Sequence, residues 1–359
     1  MRARSFASLR KTFSTILFVV VTVSGCQSVE AQSSRAVHRE RPAAIRLVPV
    51  VRLDPNASPF GPTTRILWHR GNYLIVDERK GHEVFVFDAQ GEFLTGVGRQ
   101  GRGPGEFSDI IALGVGAADS VVLFDRGNLR MIVLDPTYRV AREEPLPFVP
   151  EKNALLGVAG GAMLVATASG FRTGDVAGVS LIGSRGEVMW TAPDRTYSSG
   201  GYVRGVDFAP STAGHAWVLN NPDYTLRRID LRTGASIGAT LELAGPDWAS
   251  FTRGGGPPSF GLGVGEDATN RVWTIIRMPQ EVSPRPLPPD APYPTEGPAG
   301  IFDLVIEVVD ASRGAVIAQS RLDDFPGGLL GRGPVAGSMR VFTYDDEMGA
   351  VVVWDAFVN

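Results

Sequence analysis

The stretch that decides the fold is residues 64–97, TRILWHRGNYLIVDERKGHEVFVFDAQGEFLTGV. It contains four short apolar runs, which are RILW (65–68), NYLIVD (72–77), HEVFVFD (82–88) and EFLTGV (92–97). Short runs with alternating or continuous apolar residues are typical of β-strands, and brief Gly-containing connections between them favour hairpins. The stretch therefore predicts one four-stranded antiparallel sheet.

The end of the third run recurs along the chain. An apolar alternation closes at six positions, which are Asp88, Asp135, Ser184, Asp230, Asp310 and Asp355. The intervals are 47, 49, 46, 80 and 45 residues, and the long interval contains a Pro-rich insertion at about 279–300. A period near 45 residues with four strands per repeat predicts an all-β, six-bladed β-propeller. Because Asp caps turns by hydrogen bonding to its own backbone, we interpret the recurring aspartates as structural.

The last repeat is incomplete. Asp355 lies four residues from the C-terminus, so the sixth blade lacks a fourth, outer strand. Residues 45–52 (IRLVPVVR) form an extended apolar run before the first blade, and we expect this N-terminal strand to close the last blade. Such pairing removes an open sheet edge and ties the ring shut. The predicted propeller domain covers residues 44–359.

The first 25 residues are typical of an export signal. Four basic residues precede a short apolar run from Ile16 to Val23, which is too short to span a bilayer as a helix. The run ends in VSGC (23–26), the pattern of a lipoprotein signal, which predicts lipidation of Cys26. Ordinary cleavage after Ala31, with simple secretion, is the alternative. Residues 26–43 are polar without periodicity, and we expect them to form a flexible tether.

Composition excludes several classes of function. Residues 1–25 carry four basic residues and no acidic one, so their removal changes the net charge from −3 to −7. An acidic chain lacks the basic stripe that nucleic acid binding needs. Cys26 is the single cysteine, which excludes a disulfide framework and a cysteine-based zinc site. We expect a monomer that the membrane contacts only through the lipid anchor.

Residues 98–107, GRQGRGPGEF, resemble the loop signature of NHL-repeat propellers, and the flanking blade is similar to bacterial six-bladed propellers related to them. The resemblance implies the same fold over most of the mature chain. It does not decide the activity, because relatives of this fold include binding scaffolds and several enzymes. Arg99 and Arg102 flank the glycines of this loop, and we interpret them as a candidate anion-binding rim. Solvated loop arginines are the alternative.

The sequence contains neither a GxxxxGK phosphate-binding loop nor a GxSxG nucleophile elbow. Residues 96–101 match GxGxxG, but a Pro-containing loop and a strand follow where a dinucleotide site needs a helix. Three further residues, Arg204, Asp207 and His69, are candidates to point toward the central axis. They complete the predicted binding site, for which we expect no catalytic residue, metal or cofactor.

Six-bladed lactonases and gluconolactonases, which share this architecture, hold a calcium ion on the axis, and that likeness implies Asp207, Asn220, Asn221 and Asp267 as candidate ligands. The ligand set is poorly populated. We therefore predict an exported, lipid-anchored binding or interaction module without catalytic activity. Its expected partner is a protein, peptide or small ligand of the cell envelope. The alternative is a calcium-dependent propeller hydrolase of the lactonase or gluconolactonase type.

Overall fold

The structure is a computed structural model, and it describes residues 34–39, 42–54, 65–76, 81–146, 150–157, 161–167, 178–193, 206–212, 214–220, 224–243, 260–279, 302–323, 328–332, 337–345 and 349–359. These residues form 25 β-strands and one short 3₁₀ turn at Ala117–Asp119. No helix in this part of the chain is long and apolar enough to cross a membrane.

Three sheets each contain four consecutive antiparallel strands. Blade 1 is β3 (Arg65–His69), β4 (Asn72–Val76), β5 (Val84–Phe87) and β6 (Phe93–Val97). Blade 2 is β7 (Ile110–Val115), β8 (Val121–Asp125), β9 (Arg130–Leu134) and β10 (Val140–Pro145). Blade 3 is β11 (Pro150–Gly157), β12 (Met163–Thr167), β13 (Gly178–Ile182) and β14 (Val188–Pro193).

Of the other three blades, blades 4 and 6 also contain a strand from the N-terminal part of the chain. Blade 4 is β15 (Val206–Pro210), β16 (His215–Asn220), β17 (Thr225–Asp230) and β18 (Ser236–Glu242), with β1 (Ser34–Ala36) added outside β18. Blade 5 is β19 (Phe260–Glu266), β20 (Val272–Pro279), β21 (Phe302–Asp310) and β22 (Ala315–Leu322). Blade 6 is β23 (Gly328–Arg332), β24 (Ser338–Asp345), β25 (Ala350–Val358) and β2 (Ala43–Leu53). Because β2 pairs with both β22 and β25, blades 5 and 6 join into one eight-stranded sheet.

The first strands of the six blades form the inner wall of a closed ring. Each inner strand contacts the inner strand of the next blade, and β23 contacts β3, which closes the circle. Six clusters of buried apolar side chains fill the six seams between neighbouring blades. This packing explains the continuous apolar runs of the central strands, since both faces of each blade are covered. The predicted six-bladed β-propeller is confirmed.

The N-terminal strand closes the last blade as predicted. Its register with β25 runs antiparallel from Ile45 opposite Val358 to Leu53 opposite Val351. The register shifts between Pro49 and Val51, where proline cannot donate a ladder hydrogen bond. The side chain of Leu53 is fully buried in the seam between blades 6 and 1. Strands from the N-terminal and C-terminal ends of the domain therefore pair in one sheet.

The predicted tether at 26–43 is wrong for its last part. Residues 34–36 pair in parallel with β18, and Val37 N donates to Glu242 O at 3.1 Å. His38 then exchanges backbone hydrogen bonds with blade 5, and Ala43 and Ala44 pair with β22. The segment is polar, but it docks through backbone groups, which leave no periodic pattern in the sequence. Residues 26–33 lie outside the described residues.

The recurring aspartates cap turns, with one correction. In Asp88, Asp135, Asp230 and Asp310, Oδ1 accepts a hydrogen bond at 2.8–3.0 Å from the backbone amide two residues later. Asp355 forms no turn, because β25 continues to Val358. Its carboxylate instead accepts a hydrogen bond from Arg340 Nε at 3.1 Å.

Candidate functional site

The two ends of the ring differ in the length of their connections. One end carries the turns from first to second and from third to fourth strands, all of two to five residues, and we call it the short-turn face. The other end carries twelve connections within and between the blades, of which seven have seven residues or more, up to 22 residues between β20 and β21. We call it the long-connection face. Long connections on a rigid scaffold are the usual carriers of binding residues.

Contacts between inner strands confirm that the blades are aligned. Arg65 Nη1, at the start of β3, donates to Ile110 O at the start of β7, at 3.4 Å. The ends of β7 and β11 also meet: a Cβ added at Gly157 would lie 1.4 Å from Val115 O. All inner strands that make these contacts therefore begin at the long-connection face and end at the short-turn face.

The NHL-like loop at 98–107 lies on the long-connection face, between blades 1 and 2. Phe107 inserts its fully buried ring into that seam. Gly98 has φ +90°, and a Cβ added there would lie 2.2 Å from the Phe107 ring. Glycine is required at this position for both reasons. The sequence signature is therefore explained by packing.

A charged network holds the loop against blade 2. Buried Asp125 accepts hydrogen bonds from Asp109 N at 2.9 Å and from Asn128 Nδ2 at 2.6 Å. Arg130 donates to Gly103 O and Glu106 O in the loop and pairs with Glu143 at 2.6 Å. The network fixes the backbone that carries the two candidate arginines.

The two arginines of the predicted anion-binding rim are not equivalent. Arg99 pairs with Glu106 at 2.9 Å, and the Gly103 amide together with the Arg99 guanidinium lowers the pKa of Glu106. The positive charge of Arg99 is therefore neutralised by Glu106. Arg102 is exposed, and no carboxylate in the described part of the chain pairs with it. Of the two, Arg102 presents the available cation.

Asp207 is the second residue of β15, the inner strand of blade 4, close to the long-connection face. Its Oδ2 accepts a hydrogen bond from Val264 N of blade 5 at 2.9 Å, so the carboxyl bridges two inner strands. Burial raises the pKa of Asp207 to about 7, although the amides of Phe208 and Val264 oppose the shift. At neutral pH the Asp207 side chain is therefore a mixture of the protonated and the ionised form, and it can donate or accept a hydrogen bond.

His69 lies at the opposite end of the ring. It ends β3 at the short-turn face, where Nε2 lies 2.9 Å from Asp119 O and Nδ1 lies 3.3 Å from the Tyr138 hydroxyl of blade 2. Burial is the main cause that lowers the pKa of His69. Both ring nitrogens thus serve the seam between blades 1 and 2. The structure separates His69 from the other candidate residues.

The implied calcium ligands do not converge. Asp267 lies in a turn of the short-turn face and already accepts hydrogen bonds from Thr269, Arg271 and Trp273. Asn220 is buried at the end of β16, opposite Val206, whereas Asp207 lies opposite Leu219. Neighbouring register positions point to opposite faces of a sheet, so Asp207 and Asn220 face different seams. Among the described residues, no group of three His, Cys, Asp or Glu side chains could hold a metal.

Three of the sequence-based predictions lie outside the described residues. They are Arg204, Asn221 and Cys26, and the insertion predicted at 279–300 joins them except for Pro279, which ends β20. In sequence Arg204, Asn221 and the insertion belong to the connections β14–β15, β16–β17 and β20–β21.

Sequence analysis missed two arginines near the long-connection face, of which Arg65 is buried and Arg277 is half-buried. Arg65 begins β3 and is 4% exposed. Arg277 pairs with Phe260 at the start of β19, and burial lowers the pKa of Arg277 to about 10. Each lies near one end of an apolar strand. The sequence does not indicate whether the guanidinium group of an arginine in that position is buried or solvated.

Comparisons with known proteins support the architecture. A family model described as "6-bladed beta-propeller" matches residues 54–161, which include blades 1 and 2. A search of the curated proteins finds no match to this sequence.

Solved structures give the same fold over the whole domain. A protein described as exported, from Bacteroides fragilis NCTC 9343, has a TM-score of 0.60 at 12% identity and covers 91% of this chain and 99% of its own. A DUF4221-family member from Bacteroides vulgatus ATCC 8482 has a TM-score of 0.56 at 13% identity, covering 89% and 100%. A gluconolactonase from Xanthomonas campestris has a TM-score of 0.51 at 13% identity, covering 88% and 90%. At these identities the likeness shows the fold alone, and the chain is a six-bladed β-propeller protein.

Proposed function

We propose that this protein is an exported, lipid-anchored binding module whose ligand sits on the long-connection face. The observation that carries the proposal is the difference in connection length between the two ends of the ring. Eleven connections of two to five residues on one face contrast with connections of up to 22 residues on the other. Long connections of different lengths on one face of a rigid scaffold are the usual way in which binding surfaces are built.

Two side chains favour a ligand that combines an anionic group with hydrogen-bond donors. Arg102 offers an exposed cation. Asp207 offers a partly buried carboxyl close to the axis, with one oxygen bound to Val264 N. A protein, a peptide or a small molecule of the cell envelope could supply these groups. The proposal of export and lipidation rests on residues 1–26, and the likeness to a protein described as exported supports export alone.

The proposal is tested by comparing the two faces in a quantitative capture assay. Immobilised wild-type protein is incubated with a cell-envelope extract, and bound molecules are measured by mass spectrometry. The Arg102→Ala/Asp207→Asn variant should lose at least 90% of any specific capture. Arg139→Ala, an exposed arginine in a turn of the short-turn face, is the matched control and should retain it. Equal capture by both variants would contradict binding at the long-connection face.

The calcium-dependent hydrolase is the second candidate, because Asp207 places an ionisable carboxyl beside two inner strands. Its remaining implied ligands are less favourable, since Asp267 lies on the short-turn face. Calcium titration and chelation followed by thermal unfolding, together with a panel of lactones and esters, separates the two functions. Stabilisation by several degrees and turnover that Asp207→Ala abolishes would establish the hydrolase. Absence of both effects leaves the binding module.

A further inference from the structure

The most unusual contact of the N-terminal part of the chain is an ion pair across a seam. Residues 34–44, which we call the strap, cross from blade 4 to blade 5 along their outer strands. Arg39 of the strap pairs with Glu307 in β21 of blade 5 and also donates to Leu243 O, next to β18 of blade 4. One guanidinium therefore joins the strap to two blades.

The carboxylate of Glu307 is almost completely buried, at 1% exposure. The Tyr224 hydroxyl donates to its Oε2 at 2.5 Å, and Gln319 Nε2 donates to Oε1 at 3.2 Å. These partners are neutral, and Arg39 is the cation that neutralises the buried charge. Removing one partner of a buried pair is strongly destabilising, because it leaves an uncompensated charge. The ion pair between Glu307 and Arg39 therefore stabilises the docked strap more than the few backbone contacts of the strap do.

The remaining contacts of the strap are few. They include the pairing of β1, the backbone hydrogen bonds of Val37 and His38, the half-buried side chain of Val37 and the pairing of Ala43 and Ala44 with β22. The strand β1 pairs over three residues, and all three are exposed. Further along the chain, β2 pairs with β25 from Ile45 to Leu53, independently of Arg39. The strap can therefore detach while the ring stays closed by β2.

We propose that the strap is a releasable part of the membrane tether and that the Arg39–Glu307 pair is its lock. The proposal rests on the proposed lipid anchor at Cys26. With the strap docked, Ser34, the first paired residue, lies eight positions after Cys26, and this length of chain spans at most about 27 Å. With the strap released, the first paired residue is Ile45, 19 positions after Cys26, and the limit rises to about 65 Å. The lock thus sets how far the binding face can move from the membrane.

Amide hydrogen exchange of the purified protein tests the lock directly. In Arg39→Met, the peptide that contains Val37 and His38 should exchange at least tenfold faster than in wild type, whereas residues 45–53 should keep their protection. Arg35→Met is the matched control, because the exposed Arg35 guanidinium donates only to the Arg313 carbonyl, at 2.8 Å. If Arg39→Met fails to fold, Arg39→Met/Glu307→Gln removes both charges and should fold with a loosened strap.

Two outcomes overturn the lock. One is a wild-type rate of amide exchange at Val37 and His38 in Arg39→Met or in the double variant. The other is an equal increase of that rate in Arg35→Met. The longer reach is tested by coupling the Cys26 thiol to maleimide lipid in phosphatidylcholine vesicles that contain a dansyl lipid. Energy transfer from the protein's tryptophans to the dansyl groups should fall in Arg39→Met, and unchanged transfer overturns the tether role. Exchange requires neither lipid nor ligand, so failure of the proposed function would not be mistaken for failure of the lock.

Discussion

The short-turn face and the long-connection face are built by different rules. On the short-turn face, the same device repeats, since an aspartate that ends the third strand accepts the amide two residues later in four of the blades. On the long-connection face, the described junction between blades 1 and 2 uses a different arrangement, the Asp125–Arg130 network that fixes the NHL-like loop. Repeated sequence therefore builds the scaffold, and sequence that does not repeat builds the face where specificity can arise.

The comparison between faces requires a closed ring, and opening it should have the largest effect. Deleting residues 45–53 removes the outer strand of blade 6 and leaves β25 as an open edge. It also removes the buried side chains of Ile45 and Leu53, of which Leu53 alone is worth about 2–5 kcal/mol. We expect loss of the cooperative thermal transition in circular dichroism. A cooperative transition whose midpoint lies within about 5 °C of the wild-type midpoint would contradict closure by β2.

The repeat and its closure could be predicted from sequence because they rest on local signals. The apolar alternation before Asp88 predicts a strand and a turn, and the run at 45–52 predicts the strand found at 43–53. The strap gave no such signal, because Arg39 meets Glu307 268 residues later in the chain. Likewise, nothing local to His69 reveals that both of its nitrogens are occupied by blade 2.

The second-largest effect should separate the network on one face from the caps on the other. Asp125→Ala removes a fully buried carboxylate, so the Asp109 amide loses its acceptor and Asn128 and Arg130 each lose one of their partners. Loss of one member of a buried charge network costs about 3–5 kcal/mol in the free energy of unfolding. Asp88→Ala, the control on the short-turn face, removes exposed hydrogen bonds and should cost about 1 kcal/mol. Equal costs in urea denaturation would remove the distinction between the two faces.

A pair of glycines sharpens the same comparison. Both Gly98 on the long-connection face and Gly71 on the short-turn face have a positive φ, at +90° and +83°. Ala at either position carries the same backbone strain, of about 1–2 kcal/mol. Only Gly98→Ala also meets the Phe107 ring, because nothing lies within 4 Å of a Cβ at Gly71. Gly98→Ala should therefore be the more destabilising variant, by about 1–2 kcal/mol of overpacking, measured by urea denaturation. A larger cost at Gly71 would show that Phe107 is not tightly held.

A pH dependence of stability between pH 5 and pH 8 should appear for Asp207 on the long-connection face and not for Asp310 on the short-turn face. Burial raises the pKa of Asp207 from 3.8 to about 7, so the folded protein binds a proton that the unfolded chain has released. The contribution of Asp207 to stability is therefore lost as pH rises through 7, by about 2 kcal/mol between pH 5 and pH 8 for a partly buried group. Because asparagine does not titrate, the stability of Asp207→Asn relative to wild type should increase from pH 5 to pH 8. In Asp310, hydrogen bonds from Ser312 and Arg313 outweigh burial and lower the pKa of the carboxyl. Asp310→Asn should therefore be less stable than wild type at both pH values. Urea denaturation at the two pH values measures both variants, and an Asp207→Asn curve parallel to wild type would show that this carboxyl is already ionised at pH 5.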